Sequence, residues 1–417
     1  MNKDHLHNEL VRRFLRYVSI DTMSDPHVTD KRPSTEGQLV LLKMLEEELH
    51  SMGVKDVDFD PNGYLIARIP STLSEGTQAP TIGFMAHVDV ADDVQGNGVT
   101  PQVIESYDGL DITLAKEGVI LADENPLLSQ YKGTTLIVTD GTTLLGGDDK
   151  AGVAIMMETI REMMKEDAPS HGEVEFIFTT DEETGKGMDA FDVSKLNAHC
   201  CYTLDGGERG VIEAQCFNAA TVVVDFYGIP YHLGAARGKM VSSIAMALSY
   251  LSALPRTESP EATDGLYGYY AAEEIQGTSA HTQVTIYVRD FELMHLQRRI
   301  DTLRSLAEMT EQLFLGGKVE MSSEIVYKNM YEAIQKDPRI MDAIWESGKK
   351  MGITLREDSI RGGTDGARLA EMGIAAPNLY TGAHNLHSLH EWLAVETMVE
   401  SAHLVKHIIA YWAKESL

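Results

Sequence analysis

Five short stretches of the 417-residue chain set imidazoles or carboxylates just beyond apolar runs. GFMAHVDVADD carries His87 and Asp89, and LLGGDDKAG carries Asp148 and Asp149. DEETGKG carries Glu182 and Glu183, CYTLDGG carries Asp205, and TGAHNLHSLHEW carries His387, His390 and Glu391. Imidazole nitrogen and carboxylate oxygen are ligand types that zinc accepts in hydrolytic sites. Two metals about 3.5–4 Å apart form a co-catalytic pair, which needs a carboxylate between the ions and further ligands on each. The chain can supply that set. Asp181, Glu182 and Glu183 stand in a row and repel one another, and a dication offsets that repulsion.

Spacing suggests roles. Residues two apart in an extended segment face the same side, so Asp89 can hold the imidazole of His87 from behind. Adjacent Glu182 and Glu183 diverge in a regular strand. Both reach one site only where the chain leaves the strand, as Thr184 and Gly185 permit. One glutamate then binds metal and the other stays free as a base. Taken singly, each stretch has an ordinary reading. Asp148 and Asp149 fit a helix N-cap pair, the two glutamates a solvated turn, and Asp205 with Gly206 and Gly207 a turn; His387 and His390 fit surface residues. Their shared position at strand ends favours a metal site, because the carboxyl ends of strands in an open α/β sheet converge on one crevice. The GxSxG pattern of serine hydrolases does not occur.

The positioning elements follow from periodicity. Helical spacing covers 6–18, and Thr35 with Gln38 reads as a capping box opening a helix that runs to Met52 and stops at Gly53. Strands are expected at 64–69, 81–86, 135–139, 173–179 and 200–204, with a helix at 150–165. Strands alternating with helices predict an α/β catalytic domain with a mixed, mostly parallel sheet flanked by helices. From about 215 the texture changes. Half-exposed strands at 219–227, 282–290 and 319–327 surround helices at 241–254 and 291–314, with a Pro/Gly/Glu-rich loop at 255–268. This predicts an inserted α+β domain with an antiparallel sheet over 215–327, between catalytic segments 1–214 and 328–417.

The chain carries 64 acidic against 35 basic residues, a net charge of -29. Nucleic acid and anionic membrane surfaces repel such a chain. No apolar run approaches the roughly 20 residues of a membrane helix. The first ten residues include Lys3, Asp4, His5, His7 and Glu9, unlike a signal peptide, so a cytoplasmic location is expected. Cys200, Cys201 and Cys216 lack the spacing of a disulfide framework and read as buried thiols.

Together, HVD, GGDDKAG, DEETGKG, LDGG, RGGTDGA and HSLHE resemble, in order and separation, the co-catalytic zinc peptidases that include carboxypeptidase G2 and succinyl-diaminopimelate desuccinylase. The resemblance covers nearly the whole chain. It implies two zinc ions per subunit on His87, Asp148, Glu183, Asp205 and His387, with Asp148 bridging, and Asp89 and Glu182 as the catalytic pair. It also implies a cis peptide between Asp148 and Asp149. In the inserted domain, His232 of YHLGAARG matches a histidine that reaches the active site of relatives, although Leu233 stands where they usually carry proline. Arg289 of YVRDF and Arg361 of RGGTDG match residues near bound substrate; an ion pair with Asp290 is the competing reading for Arg289.

PSTEGQ, TLLGGDDKAG, YVRDF and IRGGTDGA resemble in particular those members that release the N-terminal residue from tripeptides. The implied chemistry is attack by metal-activated water, with Glu182 as general base and then proton donor to the leaving amine. His232 or a zinc steadies the oxyanion, and the arginines face the substrate carboxylate. A short peptide is then the partner, and a homodimer through the edge of the inserted sheet is plausible. A dipeptidase, carboxypeptidase or N-acyl amino acid deacylase is the alternative within the family, and a non-catalytic binding protein the alternative outside it.

Overall fold

The computed structural model describes residues 3–415. Residues 1–2 and 416–417 lie outside the described residues. The outer limits of the two catalytic segments, and the start of the stretch read as unlike a signal peptide, fall there. The chain divides into two compact units: residues up to Ala214 with 332–358 and 364 onward, and residues 215–331 with 359–363.

The first unit is built on a sheet ordered Asp56–Asp60, Tyr64–Ile69, Val174–Thr179, Ile82–His87, Cys200–Gly206, Asn378–Tyr380, Val211–Cys216, Arg356–Ile360. Its centre is parallel: Ile82–His87 runs alongside Val174–Thr179 and Cys200–Gly206, and Cys200–Gly206 alongside Asn378–Tyr380. Pairing turns antiparallel toward the edges, as at Tyr64–Ile69 with Val174–Thr179 and Val211–Cys216 with Asn378–Tyr380. Central strands are covered on both faces, so they read as unbroken apolar runs rather than alternating ones. Ile82–His87 and Val174–Thr179 are buried at every position. Phe84 stacks between Phe176 and Tyr202 at 5.7 and 5.6 Å. Because His87 pairs with Thr179 in register, these strands finish at the same sheet edge, and the residues that follow them emerge together.

The helix Gly147–Met163 is buried almost all round. Two expectations are corrected here. Thr35 makes no capping hydrogen bond to the helix Glu36–Ser51; Gln38 turns its amide toward Asp181 instead, at 2.8 Å. The strand expected near 135–139 does not join the main sheet. Leu136–Val138 sits in a separate small sheet, between Trp392–Ala394 and Gln102–Ile104. Trp392–Ala394 pairs in turn with Ala383–His384, so the segment bearing His387 is the loop of that hairpin.

The second unit is an antiparallel sheet, ordered Tyr269–Gly277, His281–Asp290, Asn218–Tyr227, Lys318–Tyr327, with helices Ser243–Ser252 and Leu293–Leu313 on one face. Alternation decides which face: Val222, Val224, Phe226, Val284, Ile286 and Val288 point to the helices and pack with Met246, Tyr250, Leu296, Ile300 and Leu303. Burying each such side chain is worth about 1.5–3 kcal/mol. No helix among the described residues is long and apolar enough to cross a membrane.

Candidate metal centre

His87 ends its strand 3% exposed, with its Nε2 2.9 Å from Asp148 Oδ1 and 3.4 Å from Asp205 Oδ1. His387 comes from the small-sheet hairpin, with its Nε2 3.0 Å from Glu183 Oε2 and 3.5 Å from Asp148 Oδ2. The two oxygens of Asp148 therefore face different histidines, one accompanied by Asp205 and the other by Glu183. Ligand atoms of His87, Asp149 and Asp205, and of His87, Asp148 and Glu183, each gather within 4.8 Å. The Asp148–Asp149 peptide is cis. Asp148 and Asp149 depart from helical φ/ψ, and Asp149 Oδ1 accepts from the Gly152 N–H at 3.1 Å. The N-cap reading thus belongs to Asp149, while Asp148 is left facing the imidazoles.

The row of three acids resolves into three tasks. Asp181, buried and at φ 60, does not join the cluster. Its carboxylate accepts from the Ser34 N–H at 2.8 Å, from the Ser34 hydroxyl and from the Gln38 amide, while its own N–H donates to Gln38 Oε1 at 3.0 Å. That anchor takes the chain off the strand. Asp89 then accepts from the Glu182 and Glu183 N–H groups, each at 3.1 Å, one on each oxygen. Asp89 Oδ1 also lies 3.4 Å from His87 Nδ1, although the geometry falls short of a hydrogen bond. Sequence reasoning counted Asp181 among repelling acids and missed the anchor; its signal was PSTEGQ, which holds Ser34 and Gln38.

A second buried carboxylate was quoted in the sequence without a role. Glu391 Oε2 accepts from the Leu145 and Gly146 N–H groups at 2.7 and 2.9 Å, and Oε1 from that of Gly147 at 2.6 Å. It ties the His387 hairpin to the Asp148 loop. A Cβ on Gly147 would meet Glu391 Oε1 at 2.9 Å, so glycine is what lets this approach happen. His390 lies exposed outside the cluster.

Crowded acids hold protons when nothing else neutralises them. Burial pushes Glu182 well above its ordinary range, opposed by His87 and reinforced by Asp205, Asp365 and Glu183. Burial and the charge of Asp148 push Glu183 up to about 7 and raise Asp205 well above the carboxylate range. Burial acts upward on Asp148 too, but hydrogen bonds with His387 and His87 outweigh it and hold the group low. Hydrogen bonds to Asp148 and Glu183 push His387 up to about 11. Glu183 Oε1 and His87 Nδ1 are buried without a hydrogen-bond partner. Converging hard oxygen and imidazole donors, with an orphaned carboxylate oxygen among them, fit divalent cations.

The second unit holds the other three candidates. His232, exposed, precedes a short 3-10 turn at Leu233–Ala235. Arg289 donates to the carbonyls of Ala220 and Val288 and lies over the Tyr287 and Tyr327 rings. Its neighbour Asp290 accepts instead from Arg299 Nε, at 2.8 Å. Arg361 donates to the carbonyls of Gly265, Tyr267 and Thr263, and covers Phe217 and Tyr269.

Residues 138–411 match the peptidase family M20/M25/M40. A peptidase T of Caldanaerobacter subterraneus subsp. tengcongensis is 40% identical over 410 residues, 98% of this chain and 100% of that one. The crystal structure of an aminopeptidase PepT from Bacillus cereus superposes with a TM-score of 0.77 at 27% identity, covering 98% of this chain and 99% of that chain. A dinuclear metal-binding M20 peptidase of Bacillus subtilis shares the fold, with a TM-score of 0.66 at 15% identity over 99% of both chains. Likeness of this extent, running through the loops that bear His87, Asp148, Glu183, Asp205 and His387, means that the chain belongs to peptidase family M20/M25/M40.

Proposed function

We propose that this chain is a metal-dependent aminopeptidase releasing the N-terminal residue from tripeptides. The observation that carries the reading is Asp148, whose two oxygens face two different imidazoles at 2.9 and 3.5 Å. His87 and Asp205 would hold one zinc ion and Glu183 and His387 a second, with Asp148 placed to serve either. Bound there, the pair supplies Lewis acidity that polarises a carbonyl and brings the pKa of water to about 7.

The remaining work falls to side chains of the protein. Asp89 fixes the backbone of Glu182 and Glu183, so that one carboxylate is spent on metal and its neighbour stays free. Glu182, half-buried next to the proposed ligand Glu183 and held by the Asp89 carboxylate through its N–H, is the carboxylate left free to act as general base. Its carboxylate takes the proton from attacking water and returns it to the leaving amine nitrogen. Acidic surroundings favour the free ammonium of a peptide N-terminus. His232 is assigned to the oxyanion, and Arg289 and Arg361 to the substrate carboxylate, on the family resemblance of their motifs. Tyr269–Gly277 and Lys318–Tyr327 are edge strands whose open ladders suit pairing with a second copy, so a homodimer is the proposed assembly. The cytoplasm is the proposed location, because the three buried free cysteines suit a reducing compartment.

Glu182→Gln keeps its zinc content and loses turnover by about 10²–10⁴-fold on a tripeptide panel, the range of a lost general base. Wild-type rates in that variant would refute the base assignment. Products from tri-, di- and N-acetylated peptides, assayed side by side, distinguish the tripeptidase from the dipeptidase, carboxypeptidase and deacylase readings. Light scattering at several concentrations tests the dimer.

A further inference from the structure

His87 is backed by Asp89, and the same loop reaches the other histidine. His387 Nδ1 lies 3.0 Å from Asp93 Oδ2. We propose that Asp93 is a positioning residue for His387, so that the single segment 87–93 orients both imidazoles of the metal centre. The inference rests on the metal-centre reading above.

The geometry has three parts. First, the ring of His387 is used at both ends. Nδ1 faces Asp93, while Nε2 faces Glu183 and Asp148. With its proton on Nδ1, turned toward Asp93 at ion-pair distance, the ring leaves the Nε2 lone pair for a cation, the arrangement in which a nearby carboxylate sets tautomer and ring orientation. Second, packing alone grips His387 weakly. Its side chain is 38% exposed and its backbone sits at φ 57, in the left-handed region that disfavours a residue other than glycine. An external partner is what keeps such a ring aimed.

Third, the segment presenting Asp93 is itself fixed. Val90 is buried, its N–H donates to the Thr22 carbonyl and its carbonyl accepts from the Ser24 N–H. Beyond Asp93, the Gln95 carbonyl accepts from the Leu144 N–H at 3.0 Å, which ties the segment to the loop leading into Asp148. Asp93 therefore projects from a pinned stretch although its own side chain is 59% exposed.

Exposure makes the inference testable. An ion pair at the surface contributes little to folding, so its loss leaves the fold intact. Loss of a carboxylate that orients a metal-bound histidine costs about 10–100-fold in metal affinity. The experiment is a zinc titration of metal-free full-length protein against a chromophoric chelator, with thermal unfolding of each metal-free sample alongside. Asp93→Ala should weaken one of two zinc sites by about 10–100-fold while unfolding at the wild-type temperature. Asp93→Asn, which keeps an acceptor oxygen, should lose less. Asp92→Ala, which removes the same charge one residue away, should titrate as wild type. Asp93→Ala affinity within twofold of wild type overturns the inference, as does an equal loss in Asp92→Ala, which would make the effect one of bulk charge. A wild-type chain that takes up no zinc would instead overturn the metal centre, and this inference with it.

Discussion

Asp181 carries more of the site than its sequence position suggests. It neither binds metal nor meets substrate, yet three donors converge on its buried carboxylate from Ser34 and Gln38. Truncation to alanine leaves the Ser34 N–H and hydroxyl without that acceptor, at about 1–3 kcal/mol each, while the Gln38 amide keeps Thr35 Oγ1 at 3.1 Å. Asp181→Ala is therefore expected to lose about 3–5 kcal/mol in urea unfolding. A loss below about 1 kcal/mol would mean that the turn holds without it. Glu213 offers a pH signature on a carboxylate that is not itself among the proposed metal ligands. Burial raises its carboxyl from 4.5 to about 7 even though the Asn378 amide donates to it. Between those values the folded chain holds a proton that the unfolded chain has released. Stability then falls as pH rises from about 4.5 to 7, by up to about 1.4 kcal/mol per unit. Glu213→Gln should flatten that component of the slope, and an unchanged profile would refute it. The five reactive stretches were legible in sequence because each follows an apolar run. Asp93 was not, since nothing in a loop's spacing announces a partner at His387.

At the scale of elements, one helix start carries much of the geometry. Gly152 faces the end of a sheet strand so closely that an added Cβ would sit 2.1 Å from the Leu204 carbonyl oxygen and 2.5 Å from Asp149 Oδ1. Gly152→Ala must push helix and strand apart, with a cost of about 1–3 kcal/mol for overpacking. Because Asp148 rides on that helix and Asp205 follows Leu204, zinc affinity should fall with stability. Retention of both would show that the helix start can shift freely. The strand Tyr269–Gly277 escaped the sequence reading because Ala271, Ala272, Glu273 and Glu274 have poor strand propensity; pairing with His281–Asp290 decides it instead. Leu136–Val138 was legible as a strand but not in its partners, Gln102–Ile104 on one side and, more than 250 residues away, Trp392–Ala394 on the other.

For the molecule as a whole, the alternation of strands and helices, its interruption near 215 and its return were readable from periodicity, and the main sheet has the expected parallel centre. What periodicity does not encode is the small sheet that sets the hairpin of His387 against the loop of Asp148. Glu391, accepting from the N–H groups of Leu145, Gly146, Gly147 and Asp148, couples the His387 hairpin to a loop some 240 residues earlier. This wiring bears on biosynthesis. While the ribosome is still translating, the emerging polypeptide already displays His87, Asp148, Glu183 and Asp205, but lacks the histidine and the acid that close the arrangement. An arrested nascent chain ending before residue 387 should be proteolytically silent, and one that also carries the strand Trp392–Ala394 and the helix Val395–Trp412 clear of the exit tunnel should awaken. A peptide-hydrolysing enzyme built this way gains its last metal-facing imidazole only once the hairpin of His387 has been made.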